Sequence, residues 1–320
     1  MARKNRLYVD GHLVAEADYT QTAPWSAPGP LMIGAGRDDA TVNSHFGGDI
    51  DDVRVFDRVV TQPEVREMIT QRPQLVGRWK LNEATAGKTP GEPSGAVASL
   101  SAGGAAIVAG GGVTGSGSLG LTGPGGYASS TAAPRTNESF TLAGWTSAGS
   151  PTSDMTVLSV AGTNESAVTV GWHFDKLVDG QATGWWEAKV TGTDGANAAY
   201  TTVTHTFDQS LWIGDWNHIA VVYNGFDKQL SLYVNGNLEN QICSDDAGPG
   251  CAEHVSFAGV STPFTAGGGL QFGRARAAGA WAEPLTGEID DVWVYQGVLS
   301  PAQITALADP TAELDTATRL

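Results

Sequence analysis

Apolar and polar positions alternate in short runs through most of this chain. Runs rich in Val, Ile, Leu, Thr and aromatics fall at 118–121, 138–146, 155–161, 167–174, 185–191, 199–205, 216–224 and 229–235. Gly, Ser, Thr, Asn and Asp fill the gaps between them. Period-2 alternation in runs of this length marks half-buried strands, and even spacing with turn residues between marks an antiparallel sandwich or barrel. A helical period is visible only at 62–70 and 301–308, where Thr61 and Ser300 are each followed three residues on by Glu64 and Gln303. That spacing is a capping box opening a short helix.

The pattern is written twice. Leu7-Tyr8-Val9-Asp10-Gly11 matches Leu232-Tyr233-Val234-Asn235-Gly236, and Gly48-Asp49-Ile50-Asp51-Asp52-Val53 matches Gly287-Glu288-Ile289-Asp290-Asp291-Val292. The helix starts match as well. In each copy Asp-Gly or Asn-Gly supplies the positive φ angles of a tight hairpin. A short strand ending at Gly34 or Gly273, a strand through the paired acids and the helix should follow. The expected organisation is a partial unit at 1–72, holding only the last third of the pattern, a complete unit at 75–310 and a tail at 311–320. The second copy is the longer, and the added stretch contains Cys243 and Cys251.

Composition narrows the function classes. The 320 residues carry 18 Lys and Arg against 34 Asp and Glu, a formal net charge of −16, and no basic patch interrupts the acidity. Such a chain repels nucleic acid and anionic membranes. No stretch reaches the ~18 apolar residues of a membrane span. Cys243 and Cys251, across a Gly/Pro turn, suit a disulfide that staples one loop, which implies an oxidising compartment. The first residues hold no apolar run of signal length. A secreted or cell-surface chain without an export signal is expected to be a piece of a longer protein with neighbouring domains.

Ser139-Phe140-Thr141-Leu142-Ala143-Gly144-Trp145, Asp215-Trp216-Asn217-His218-Ile219-Ala220-Val221-Val222-Tyr223, Leu232-Tyr233-Val234-Asn235-Gly236 and Gly287-Glu288-Ile289-Asp290-Asp291-Val292 stand in a fixed order. In that order and spacing they resemble the bacterial LamG-like jelly-roll family, of the concanavalin A-like lectin/glucanase fold. The resemblance implies an all-β jelly-roll β-sandwich, often with a structural calcium ion, and ligand binding on a concave face or rim. It also implies that the first and last strands are neighbours.

The paired acids are the sharpest candidate chemistry. Alternation puts Asp290 on one face with Val292 and Val294, and Asp291 on the other with Ile289, Trp293 and Tyr295. A carboxylate among apolar neighbours costs several kcal/mol unless a cation or hydrogen bonds compensate. One expectation is calcium held by Asp290 and Glu83 with carbonyls near Asn82; the other is Asp290 satisfied by backbone N–H groups alone. A catalytic reading is weaker. Glu288-Ile289-Asp290 begins the acid pattern of glucanases of this fold, but Val292 and Trp293 stand where the second Glu is required, so a retaining double displacement lacks its acid/base. His218 reads as a framework residue. Trp172, Trp185, Trp186, Trp212 and Trp281 lie outside the apolar runs and are candidate sugar platforms, with packing at sheet edges as the alternative. The expected function is a non-catalytic extracellular module recognising a glycan or a surface partner. Its rivals are a structural spacer and a glycan-active enzyme.

Overall fold

The computed structural model describes residues 4–9, 11–19, 29–38, 41–69, 72–149, 152–196, 198–206, 215–243 and 254–312. The chain divides into two compact units, Met1–Gln71 and Arg72–Leu320.

The second unit is a jelly-roll sandwich of two antiparallel sheets. The eight-stranded sheet runs, edge to edge, Tyr200–His205, Gln181–Thr191, Ser166–Val178, Met155–Ala161, Leu270–Phe272, Ala128–Ser130, Ala98–Leu100 and Lys88–Thr89. The nine-stranded sheet runs Asn237–Leu238, Gln229–Val234, Trp216–Asn224, Phe140–Ala148, Gly287–Gln296, Gly117–Leu121 and Ala105–Ala109. Phe257–Gly259 adds to Gln229–Val234, and Gln74–Trp79 adds to Gly287–Gln296. All eight strands expected from the sequence form, several with longer ends. Leu270–Phe272 is the short strand expected to end at Gly273, whereas Lys88–Thr89 and Ala98–Leu100, too brief to show a period, escaped notice.

Between the sheets lies a core of Trp79, Phe140, Leu142, Leu158, Val170, Trp186, Val221, Tyr223, Leu230 and Phe272, all essentially buried. The nine-stranded sheet is covered on its other face too. There Ala143, Ala220, Val222, Tyr233, Trp293 and Tyr295 receive Ile304 and Leu307 of the helix Pro301–Leu307. Apolar side chains on both faces explain why 216–224 reads as an almost continuous apolar run. The capping box closes as expected, with Ser300 and Gln303 bonding reciprocally.

The strand Gly287–Gln296 changes partner halfway. Along one edge, Gly287, Glu288 and Ile289 pair with Leu121, Gly120 and Leu119, whereas Val292 to Gln296 pair with Trp79 to Gln74. Asp290 and Asp291 occupy the junction. Asp291 has φ 41°, and the register against Phe140–Ala148 slips between Ala143 and Trp145. The extra residue is a β-bulge. It reverses the face alternation: Ile289 joins Val292 and Val294 in the inner core, while Trp293 and Tyr295 face the helix. The face assignment from strict alternation is therefore corrected for Ile289.

The first unit contains two hairpins, Lys4–Val9 with His12–Asp18 and Gly36–Asp38 with Thr41–Asn43, and the helix Gln62–Ile69. Neither the expected strand ending at Gly34 nor the one through Asp51 forms, and residues 44–61 carry no strand. Among the described residues of this unit, no strand stands beside them to complete the pairing. In the second unit three strands pair with the corresponding one. Leu31, Ile33, Ile50, Val53, Val55, Phe56 and Val59, which such strands would bury, are exposed.

Candidate functional site

The two acids of the second unit have separate tasks. Asp291 is buried and accepts from Arg78 Nε at 2.7 Å, Arg78 Nη2 at 3.1 Å and Trp293 Nε1 at 2.9 Å. The Arg78 guanidinium also lies 3.9 Å from the Trp293 ring centroid, and Tyr295 stacks on that indole. This is a buried, fully engaged ion pair, joining the strand Gln74–Trp79 to the closing strand.

Asp290 is fully buried and turns to the loop 112–117. Its Oδ2 accepts from Thr114 N at 2.9 Å and its Oδ1 from Asp291 N at 2.8 Å. Burial pushes its carboxyl up to about 6, with the Thr114 amide pulling the other way and the Asp291 charge adding to the rise. Asn82 binds the same loop, its Oδ1 accepting from Ser116 N at 2.7 Å and Gly117 N at 3.0 Å. Gly112 is required here, since a Cβ would stand 2.2 Å from Gly117 O and 2.9 Å from Asp290 Oδ2. Glu83, the third residue expected at a calcium ion, is exposed. The groups that converge on Asp290 and Asn82 are N–H donors, whereas calcium demands oxygens. These residues do not fit a ready calcium cage, and the geometry matches the backbone-satisfied alternative. Glu288 accepts from the Ser118 hydroxyl.

The tryptophans separate clearly. Trp172 and Trp186 face the inner core at 8% and 2% exposure, their rings edge to face at 5.4 Å. They cannot lie under a sugar, so their reading as platforms is corrected: alternation turns the even-numbered residues of 185–191 inward. Trp281 is 40% exposed, but guanidiniums cover its ring, Arg274 at 3.5 Å and Arg276 at 4.1 Å from the centroid. Arg274 also lies 3.2 Å from the Tyr127 ring. Trp212 and Cys251 lie outside the described residues, and with Cys251 the expected disulfide.

Trp185 is on the open face of the eight-stranded sheet, opposite the core. Alternation along its strand puts Trp185, Glu187 and Lys189 together, and the register sets Trp185 beside His173 and Glu187 beside Gly171. The indole and the imidazole lie 4.5 Å apart, tilted by 32°. His173 Nδ1 is 3.2 Å from Asp154 Oδ1, which also accepts from Phe174 N at 2.9 Å. Lys189 Nζ is 2.5 Å from Glu187 Oε1 and 3.5 Å from Glu283 Oε1, and lies over the exposed Tyr200 ring. Burial alone would lower the Lys189 ammonium, but the hydrogen bond to Glu187 and the charges of Glu283, Glu187 and Asp154 hold it above the usual lysine value. The face therefore combines an aromatic ring with donors and acceptors of both signs. Of this group, sequence reading found only Trp185. Glu187 and Lys189 share its strand, while Asp154, His173, Tyr200 and Glu283 stand on four other stretches that only the tertiary fold brings together. The signal available was the polar-apolar alternation in Trp185-Trp186-Glu187-Ala188-Lys189-Val190.

Comparison with known proteins agrees with this architecture. The family model described as the concanavalin A-like lectin/glucanases superfamily matches residues 2–66 and 122–305. No curated protein matches significantly. Among solved structures, the binding domain of Paraclostridial Mosquitocidal Protein 1 is similar at 14% identity and TM-score 0.50, over 73% of this chain and 51% of that one, so the chain spans about half its length. The receptor binding domain of botulinum neurotoxin type G is similar at 10% identity and TM-score 0.46, over 73% of this chain and 50% of that one. A SAP-like pentraxin from Limulus polyphemus gives 15% identity and TM-score 0.40, over 55% and 72%. With the ordered motifs, the two packed antiparallel sheets and a family match across most of its length, this chain belongs to the concanavalin A-like lectin/glucanase superfamily.

Proposed function

We propose that the second unit is a non-catalytic binding module that takes carbohydrate on the open face of its eight-stranded sheet. The observation that carries this reading is the group Trp185, His173, Glu187, Lys189 and Tyr200 on one solvent-side surface. Sugars present flat C–H faces to aromatic rings and hydroxyls to charged hydrogen-bonding groups, and this surface offers both. In an exported protein a Cys243–Cys251 disulfide would staple the loop between the two cysteines.

A glycan array followed by titration tests the site. Binding that is lost in Trp185→Ala and Tyr200→Ala, and kept in Trp281→Ala, supports it. Absence of any glycan ligand would leave a structural spacer as the role of the module. Polysaccharide hydrolysis abolished in Glu187→Gln would make it an enzyme. Calcium at Asp290 and Asn82 would have to replace the amide donors of loop 112–117, and melting with and without calcium decides whether it does so.

A further inference from the structure

We propose that Asp154, His173 and Glu187 form a binding site for one divalent transition-metal ion of the zinc type. Each offers one ligand atom, and these atoms all lie within 4.8 Å of one another. The three arrive from adjacent stretches of one sheet. His173 and Glu187 are on neighbouring strands in fixed register, and Asp154 immediately precedes the strand Met155–Ala161 on the other side of His173. Strand-borne ligands keep their spacing better than ligands on loops.

The donor set decides the class of ion. Two carboxylate oxygens and one imidazole nitrogen, with a fourth position left to water, suit zinc and its neighbours in the first transition row, whereas calcium prefers six to eight oxygens. Small side-chain rotations bring three such atoms to the ~2.0–2.2 Å of zinc bonds. Gly171 leaves the position opposite Glu187 without a side chain, and a Cβ there would stand 1.9 Å from Met155 O.

Two further observations point to a cation. Glu187 is 8% exposed, and it shares the ammonium of Lys189 with Glu283. The three carboxylates of Asp154, Glu187 and Glu283 against one lysine leave a part-buried negative excess. A divalent ion offsets that excess and needs no displacement of Lys189, since Glu187 has a second oxygen. The surroundings also orient the ligands. Trp185 packs against the imidazole at a tilt of 32°, and Phe174 N–H holds Asp154 Oδ1, with His173 Nδ1 3.2 Å from that carboxylate oxygen. Groups of this kind behind metal ligands change affinity by about 10–100-fold.

Calorimetric titration of the metal-stripped full chain with zinc, with no sugar present, tests the site independently of the carbohydrate reading. Expected are one zinc per chain, affinity weakened about tenfold or more in His173→Ala and in Glu187→Gln, and unchanged affinity in Asp290→Asn. Cobalt(II) should give a visible absorption band that His173→Ala removes. Because Glu187→Gln also disturbs Lys189, the half-exposed His173→Gln serves as the second variant, with far-ultraviolet circular dichroism confirming its fold. Absent zinc binding, equal affinity in the His173 variants, or calcium bound as tightly as zinc would each overturn the proposal.

Discussion

Single residues carry most of the unusual physics of the second unit. Asp290 is the clearest, because its folded carboxyl sits near 6, above its ordinary value of 3.8. A folded state that holds its proton more tightly than the unfolded chain loses stability from that group as pH rises between those values. The stability difference between wild type and Asp290→Asn should therefore shift against wild type from pH 4 to pH 7, as followed by thermal melts; a shift in its favour would mean the amides outweigh burial. Calcium added to the metal-stripped chain should leave the melting temperature unchanged where amides alone hold this carboxylate, and a rise of several degrees that Asp290→Asn abolishes would restore calcium to the site. His218 has the opposite sign. It is fully buried, its ring edge to face with Trp145 at 5.3 Å, and burial pushes it down to about 3. The unfolded chain binds that proton first, so this group's contribution is present above pH 6.5 and is lost as pH falls towards 3. His218→Phe should flatten the acid limb of the stability curve between pH 6.5 and 4, and an unchanged limb would assign it to other groups.

At the scale of elements, the closing strand Gly287–Gln296 governs the sandwich. It pairs on one side with Phe140–Ala148 and on the other with two strands in succession. Its bulge is local in origin: Asp52 of the first unit repeats the positive φ of Asp291, and Asp52 N bonds Asp51 Oδ1 at 2.8 Å just as Asp291 N bonds Asp290. Short polar residues tolerate that backbone region best. Arg54 grips Asp52 in the first unit as Arg78 grips Asp291 in the second, but only the second pair is buried. Removing one partner from a buried pair strands a charge, at a cost of about 3–5 kcal/mol. Arg78→Ala should lower stability in urea by that amount and Arg54→Ala should have a far smaller effect; equal effects would contradict the difference in burial. The helices repeat too. In each unit the tight-turn glycine, Gly11 or Gly236, lies against the helix, next to Ile69 and Arg66 or Thr305 and Ala308. Ser300→Ala should cost about 1 kcal/mol through the lost cap.

At the scale of the whole molecule the two units differ in kind. The second buries a continuous core between two sheets, while the first leaves Leu31, Ile33, Val55 and Val59 at more than half exposure. Regions with few buried contacts open at low free energy. Amide hydrogen exchange should therefore be faster throughout the described part of Met1–Gln71 than in the strands of the second unit, and equal protection would refute this. The sequence by itself determined the class of fold, the eight principal strands, the two capped helices and the repeat. Each of these depends on neighbours within a few residues: alternation, an Asn-Gly turn, a capping pair, an Asp able to adopt positive φ. It also located the acids as structurally charged positions and left open what satisfies them. Tertiary structure alone decided the rest. The partner switch at Asp290 depends on strands more than 150 residues away in the chain, and no local pattern records it. Whether a tryptophan is core or surface depends on which sheet face is covered, so Trp186 went inward and Trp185 outward. The cluster of Asp154, His173, Glu187, Lys189 and Glu283 exists only because antiparallel register aligns four stretches, and no spacing along the chain records that alignment.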